Sequence, residues 1–460
     1  MMSELRRVFA AGRTRGLQWR LQQLRGVESL LHQNEADIAR ALADDLGRSS
    51  AEAWIGDVAP TAGEAAYARR NLKRWMRRKR RSMPLAQRPG KAWVQYEPVG
   101  VVLIIGPWNY PLSLCLTPLV AAVAAGNCAV IKPSELAPAT SALLARLVPQ
   151  YLDRQAVRVV QGDADLTQDL LAQGFDHAFF TGGTEVGKKI MAAAAATLTP
   201  VTLELGGKSP VIVTADADLD VAARRIASVK LLNSGQTCIA PDYVLAEQPV
   251  AEQLAAKIVA DMRQFRSGHT DFSLPIVNQR QFDRLTSLLA ATEGKLLCGG
   301  GSTPSDLSIE PTVLLDPSPI DPVMVEEIFG PILPVLSVES IHAAIDFVNT
   351  RPHPLALYVF ASSERRAQSI IDRTPSGGAV INHVGMQFMV PQLPFGGIGA
   401  SGMGAYHGRW GFEALSHRRA VLSKPTAFDP KLLYPPYSDR ALKIVRSMLG
   451  AGSHRKMRNR

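Results

Sequence analysis

Apolar residues recur at helical spacing through the first part of the chain, as at Ile38, Ala41, Leu42 and Leu46. This predicts a run of helices over residues 3–80, with Ser3 a candidate cap. Pro84, Pro89 and Gly90 end that run. At Lys91-Ala-Trp-Val-Gln-Tyr96 the period shortens to the apolar–polar alternation of a half-buried strand, and residues 416–424 read as another edge strand. In between, short apolar runs alternate with helical stretches. Strands are predicted at 101–105, 128–132, 157–161, 177–181 and 200–204, with a helix over 112–125. After Gly207 the alternation restarts, with strands at 210–214, 242–247, 309–315, 356–361 and 378–382. Helices at 219–232, 249–265, 278–292, 339–350 and 363–373 separate them. Wholly apolar strands joined by helices make parallel, doubly wound sheets, so the pattern predicts an α/β protein of two such blocks. Sheets of this kind bind ligands at the carboxyl ends of their strands.

Residues 101–131 carry no charge, which raises a membrane span, but Gly106, Pro107, Asn109, Pro111, Pro118, Gly126 and Asn127 interrupt them. A buried strand, turn, helix and strand explains the run better. The start, Met-Met-Ser-Glu-Leu-Arg-Arg, lacks the apolar centre of an export signal, so a cytoplasmic location is expected. At 460 residues, 46% hydrophobic and 20% charged, the chain has the composition of an ordinary globular protein of two or three domains. The four cysteines (Cys115, Cys128, Cys238, Cys298) lie in separate elements, which suggests neither disulfides nor zinc. The histidines are scattered without metal spacing and read as structural; no metal is expected.

The net charge of +10 raises nucleic acid as a partner. Nine cations and no acid lie in residues 69–81, and six more without an acid lie in 442–460; the remainder of the chain carries −5. A diffuse nucleic-acid footprint is therefore absent. The first cluster, with Trp75 its only aromatic, reads as a solvated basic helix end.

Cys238 follows a predicted helix and sits in the turn Asn233-Ser-Gly-Gln-Thr-Cys238, where backbone N–H groups can face a thiolate. It is either a nucleophile or a small buried hydrophobe. Glu204 ends an apolar strand, where burial raises a carboxyl toward the range of a general base. Phe179-Phe-Thr-Gly-Gly-Thr-Glu-Val-Gly187 reads as strand, glycine turn and helix, either a phosphate site at a helix start or only a turn. Lys132 and Glu135 follow a buried strand and are either ribose ligands or a solvated pair, while Asn109 is either an oxyanion donor or a turn former.

Taken together, Leu203-Glu-Leu-Gly-Gly-Lys208 and Gly235-Gln-Thr-Cys238 resemble the glutamate and cysteine motifs of the aldehyde dehydrogenase superfamily, and both are present without substitution. Residues 233–244, with the ending Phe395-Gly-Gly-Ile-Gly-Ala-Ser-Gly-Met-Gly-Ala-Tyr-His-Gly408, are similar to its class 3, the fatty and aromatic aldehyde branch. The resemblance runs from about residue 3 to about residue 437. It implies a Rossmann-like cofactor domain at 1–206, with 90–98 contributing to a small β oligomerisation arm, and an α/β catalytic domain at 207–390. Residues 391–440 would return to the cofactor domain and the arm, leaving 441–460 as a basic amphipathic tail. The resemblance also implies that Asn109 holds the oxyanion and that Lys132 and Glu135 meet the adenosine ribose. Trp108, Gly182, Gly183, Thr184, Gly187 and Leu205 would border the cofactor, with Gly183 standing where serine is commoner. In Glu326-Glu-Ile-Phe-Gly-Pro331, Glu327 would hold the nicotinamide ribose and Phe329 would pack near the ring. A carboxylate at 135 disfavours the 2′-phosphate, yet branch members with these residues often accept both cofactors, so NAD or NADP is expected.

The implied reaction is attack of the Cys238 thiolate on an aldehyde, hydride transfer to NAD(P)+, and hydrolysis of the thioester by water that Glu204 deprotonates. Glu204 argues against relatives that pass the acyl group to coenzyme A. The intact Cys238, Glu204, Asn109 and Glu327 argue against a catalytically silent binding member of the fold. The expected partners are a small aldehyde, medium- to long-chain aliphatic or aromatic, and a second copy of the chain, because class 3 relatives lack the extension of the tetrameric members. The apolar segment 384–394 is either the border of the substrate entrance or a buried loop. In the tail, Leu442, Val445, Met448 and Leu449 share a helical face with basic residues beside and beyond it, which suits either peripheral contact with an anionic membrane or docking on the protein.

Overall fold

The computed structural model describes residues 1–84, 87–267 and 274–450. Four sheets organise them, two large and two small. The first large sheet has the order Gly402–Met403, Val201–Glu204, His177–Thr181, Val101–Ile105, Cys128–Lys132, Val157–Val159. All its pairings are parallel except that of Gly402–Met403, which runs antiparallel to Val201–Glu204. Helices cover both faces, which is why the interiors of the central strands Val101–Ile105, Cys128–Lys132 and His177–Thr181 are apolar. Val102 and Ile104 face the layer that includes the helices Leu17–Gln33, Ala59–Trp75 and Ser113–Ala125. Val101, Leu103 and Ile105 face Met2–Ala10, Ala164–Ala172 and Thr184–Ala195. The chain steps outward from Val101–Ile105 in one direction, then resumes on its other side, so the strand order reverses there and opens a crevice at the carboxyl edge.

The second large sheet has the order Lys295–Cys298, Thr312–Leu315, Ile332–Val338, Tyr243–Glu247, Pro210–Val213, Ala356–Phe360, Gly378–Ile381. Only its first strand is antiparallel. Val201–Glu204 ends the first sheet and Pro210–Val213 starts the second, so residues 205–209 pass directly from the carboxyl edge of one to the amino edge of the other. The site lies on that crossing.

Several sequence expectations need correction. The strand Ile332–Val338 is interior to the second sheet and was not expected, because Pro334 interrupts its apolar run. The proline is tolerated opposite Leu314, while pairing with Tyr243–Glu247 starts only at Val335. The edge strand Lys295–Cys298 was also unexpected. The strand expected at 309–315 divides around Pro311: Ser308–Ile309 pairs with Ser302–Thr303, and Thr312–Leu315 joins the large sheet. Ser3 caps nothing, since the first helix starts at Met2 and no side chain caps it.

The basic cluster is not one helix end. Its helix stops at Trp75, and Lys79–Arg81 forms a strand against Lys91–Pro98, whose other side pairs over eight positions with Ser416–Ser423. Arg69 is paired with Glu28, and Lys79 Nζ donates to the Tyr96 hydroxyl (2.6 Å) and Glu413 Oε1 (2.9 Å). The tail begins as the helix Asp439–Gly450; the expected basic residues at 455–460 fall outside the described residues. Among the described residues no helix is long and apolar enough to cross a membrane.

Candidate active site

The cysteine turn is built on unusual backbone. The helix Leu219–Leu231, capped by Asp218 accepting from the Val221 N–H, is followed by three residues with positive φ: Asn233 (52°), Ser234 (51°) and Gly235 (71°). At 235 only glycine fits, since a Cβ would lie 2.2 Å from the Gly330 carbonyl oxygen. Asn233 and Ser234 need compensation for left-handed backbone, and side-chain hydrogen bonds supply it. Asn233 Nδ2 donates to the carbonyls of Asn109 (3.2 Å) and Gln236 (3.0 Å), and Ser234 Oγ donates to that of Leu274 (2.7 Å). Gln236 Nε2 donates to the carbonyls of Asn233 and Pro275, and its Oε1 accepts from the Val277 N–H. Cys238 follows, half-buried in the lining of a cavity.

Asn109 reaches this turn from the other sheet, in the loop after Val101–Ile105. Its side-chain amide is buried and donates to the Gln236 carbonyl (3.1 Å), which occupies one of its two N–H groups. Beside it the Tyr110 hydroxyl and Thr237 Oγ1 lie 2.8 Å apart. The oxyanion donor and the nucleophile expected from sequence therefore come together.

Glu204 ends its strand 3% exposed, and neither carboxylate oxygen has a partner. Burial pushes its carboxyl well above the usual range. Burial also pushes the Cys238 thiol up to about 12, with the nearby carboxyls of Glu327 and Glu204 adding to it. The backbone N–H groups of Cys238 and Ile239 favour the thiolate, as expected, but burial outweighs them. Glu327 is pushed up to about 8 by burial first and Asp242 second, against the Gly207 N–H, Lys208 and Arg284. Burial therefore makes charge costly for all three groups.

Lys208, which sequence reading quoted only as part of a motif, ties the crossing segment to the Glu327 loop. Its ammonium binds Asp242 and donates to the carbonyls of Val323 (2.9 Å) and Glu326 (2.8 Å), while Asp242 Oδ1 accepts from the Ile328 N–H (3.0 Å). Gly206 lies beside them, and a Cβ there would come within 2.0 Å of Glu327 Oε2, so any side chain at 206 displaces that carboxyl. Trp108 and Phe329 meet edge-to-face at 5.5 Å, with Phe329 at φ 49°.

The remaining expected cofactor residues lie along the carboxyl edge of the first sheet, and the donor set suits a dinucleotide. The helix Thr184–Ala195 starts after Gly183 with no side-chain cap, and a Cβ on Gly183 would meet nothing within 4 Å, so an anion can approach its free N–H groups. Gly187 packs on Leu205, where a Cβ would come within 2.6 Å. The buried Lys132 ammonium donates to Glu135 Oε2 (2.6 Å), and Glu135 remains half exposed, free to accept from sugar hydroxyls.

Cys238 and Glu204 open into a predominantly apolar cavity of about 600 Å3. The segment 384–394 lines it through Met386, Phe388, Met389, Pro391 and Gln392. Sequence reading missed the contribution of the N-terminal helices, including Arg48, Glu64 and Tyr67. For Glu64 a signal existed: an acid inside the small-residue run Thr61-Ala-Gly-Glu-Ala-Ala-Tyr67. Burial pushes Glu64 up to about 7, against the Gly408 N–H that donates to it at 2.5 Å. His407, read from sequence as structural, also lines the cavity, stacked on Phe395, with Nδ1 unpartnered. Sequence reading did not mark Lys230 either, a buried lysine without a hydrogen-bond partner.

A dinucleotide crevice, a buried carboxyl and an amide donor at the carboxyl edge of one parallel sheet, facing a thiol at the amino edge of another, define an α/β oxidoreductase with a covalent step. The model of the aldehyde dehydrogenase family matches residues 2–421. The chain is 47% identical to aldehyde dehydrogenase family 3 member A2 of Rattus norvegicus, over 95% of this chain and 91% of that protein. It is 45% identical to family 3 member B1 of Homo sapiens, over 96% of each. The solved structure of Staphylococcus aureus AldH, in a substrate-bound state, superposes with a TM-score of 0.93 at 39% identity, covering 97% of this chain and 98% of that one. The chain therefore belongs to the aldehyde dehydrogenase family, in the family 3 branch, and oxidises aldehydes with NAD or NADP.

Proposed function

We propose that the chain oxidises medium- to long-chain aliphatic or aromatic aldehydes to carboxylic acids through a covalent intermediate on Cys238. The observation that carries the substrate class is the apolar cavity of about 600 Å3 lined by Cys238 and Glu204. The thiol begins protonated, and as sulfur bonds to the carbonyl carbon its proton passes through Glu204 to solvent, which leaves Glu204 ionised for the second half-reaction. The oxyanion accepts from the Cys238 backbone N–H and the second N–H of Asn109. NAD(P)+, when bound, supplies the acceptor for the hydride that leaves this carbon, and a thioester on Cys238 results. Glu204 then deprotonates a water, the water attacks the thioester, and the carbon–sulfur bond breaks to release the acid. Lys132, Glu135, Glu327 and the turn at Gly182, Gly183 and Thr184 hold the dinucleotide, within a cofactor domain at 1–206, beside a catalytic domain at 207–390. The test is a panel from propanal to decanal with benzaldehyde: kcat/KM should rise with chain length, and a steady fall overturns the substrate class.

The same reading includes a homodimer joined through the arm, supported by Ser416–Ser423, an edge strand with one side unpaired among the described residues. Light scattering should give a dimer; a stable tetramer or monomer contradicts it. It also includes a cytoplasmic enzyme whose tail makes weak, salt-sensitive contact with anionic membranes, supported by the amphipathic helix Asp439–Gly450 with Leu442 exposed. Deleting residues 441–460 should abolish sedimentation with anionic liposomes; equal sedimentation of both forms removes this contact.

A further inference from the structure

The loop bearing Asn109 and the turn bearing Cys238 are both gripped by a third element that the mechanism does not use. This element is the segment 47–58 of the N-terminal helices. Gly47, left-handed at φ 69°, closes the helix Glu35–Leu46 and delivers Arg48 into the interior. The following helix opens into a π-helical turn, Trp54–Val58, which carries Asp57; such turns often mark functional positions. The side chains of Arg48 and Asp57 are 1% and 0% exposed, and they form an ion pair at 2.6 Å.

Their remaining valences point at the site. Asp57 Oδ1 accepts from the N–H groups of Leu112 (3.2 Å) and Ser113 (2.7 Å), at the start of the helix Ser113–Ala125 that follows the Asn109 loop. Arg48 donates through Nη2 to the Asn109 carbonyl and through Nε to Asn233 Oδ1 (3.3 Å), and its guanidinium stacks on the Tyr110 ring at 4.3 Å. A rigid fork thus joins the backbone of the oxyanion donor to the strained turn of the nucleophile. Neither charge is needed to bury apolar surface, and an ion pair so deep is weak support for stability by itself.

We propose that Arg48, braced by Asp57, is a positioning residue for the oxyanion site: it sets the orientation of the Asn109 amide relative to Cys238. This rests on the assignment of Asn109 as oxyanion donor made above. Displacing such a donor by a fraction of its hydrogen-bond length weakens it in the transition state while leaving the cofactor crevice untouched.

The test is a double-mutant cycle in the full chain, with hexanal and NAD+. Arg48→Gln keeps one amide donor and removes the fork. Two backbone N–H groups alone then oppose the burial of Asp57, which protonates rather than standing as an unpaired charge, so the fold should survive. We expect kcat to fall about tenfold or more, with KM for NAD+ and the alkylation rate of Cys238 by iodoacetamide unchanged. Arg48→Lys, whose ammonium can reach Asp57 and the Asn109 carbonyl together, should recover most of kcat. In the Asn109→Ala background Arg48→Gln should change kcat by less than about twofold, because the group it acts through is gone. An equal fall in both backgrounds, or unchanged kcat in the wild-type background, overturns the proposal. If Arg48→Gln does not fold, Arg48→Lys runs the same cycle: any fall it causes must vanish with Asn109→Ala, and a fall that persists there overturns the proposal equally. Full turnover of Asn109→Ala alone would instead strike the oxyanion assignment, which separates the two failures.

Discussion

The two sheet edges that face each other across the site hold their functional groups by different physics. On the carboxyl edge of the first sheet, Lys132 and Glu204 are the last residues of buried strands, and Asn109 lies four residues beyond one. Their positions follow from the strands themselves. On the amino edge of the second sheet, Cys238 and Glu327 lie in turns ahead of Tyr243–Glu247 and Ile332–Val338. No regular element positions them. Positive φ at Asn233, Ser234, Gly235 and Phe329 does, locked by Gln236, Asn233 and Lys208. Strand ends supply carboxylates and amide donors cheaply, whereas a nucleophile that must project toward the opposite edge requires backbone that only a hydrogen-bonded network sustains.

Removing the group at the centre of the strained edge should have the largest effect. Cys238→Ala should lower dehydrogenase kcat by at least roughly 10^3-fold with the melting temperature and NAD+ binding retained, read by turnover, thermal unfolding and calorimetry. On the opposite edge, Asn109→Ala should cost on the order of 10^2 to 10^3 in kcat, the usual effect of deleting one oxyanion donor. A region outside both edges provides a contrast through stability. Glu64, held at about 7 in the fold against 4.5 when free, keeps its proton over that interval while the unfolded chain releases it. Stability therefore falls as pH climbs from about 4.5 to about 7 and stays reduced above, by about 3 kcal/mol at most. Glu64→Gln should accordingly raise the melting temperature at pH 8 and leave it unchanged near pH 4; a variant less stable than wild type at pH 8 would contradict this. The smallest change concerns the crossing itself. Gly206→Ala must displace Glu327, so KM for NAD+ should rise, roughly tenfold, with the fold intact.

The difference between the edges also decides what could be read from sequence. The central strands of the first sheet have apolar interiors, and Val101–Ile105, Cys128–Lys132 and His177–Thr181 match their expected bounds to the residue. In the second sheet Pro334 and Pro311 break the runs, and a strand was missed or misdrawn at each, because proline suppresses a strand signal that tertiary pairing then overrides. Cys238, Glu204 and Asn109 were legible through motif resemblance. Their locking residues were not: Arg48, Asp57 and Lys208 act through contacts 61, 55 and 115 positions away along the chain, which no local period reports. Glu64 and His407 stayed hidden because an N-terminal helix and a C-terminal turn meet only in the fold, 344 positions apart at the Glu64–Gly408 hydrogen bond.

The central claim is that Cys238 carries the acyl group and Glu204 activates the water that removes it. Glu204→Gln should form the acyl-enzyme and then stall, because only the second half-reaction needs a base beside the thioester. The direct measurement is intact-protein and peptide mass spectrometry of Glu204→Gln quenched in acid after mixing with hexanal and NAD+, alongside the absorbance of NADH formed. The account predicts a burst of NADH matched by one hexanoyl group per chain, located on the peptide containing Cys238. An NADH burst with Cys238 unmodified, or undiminished steady turnover of the variant, would contradict it.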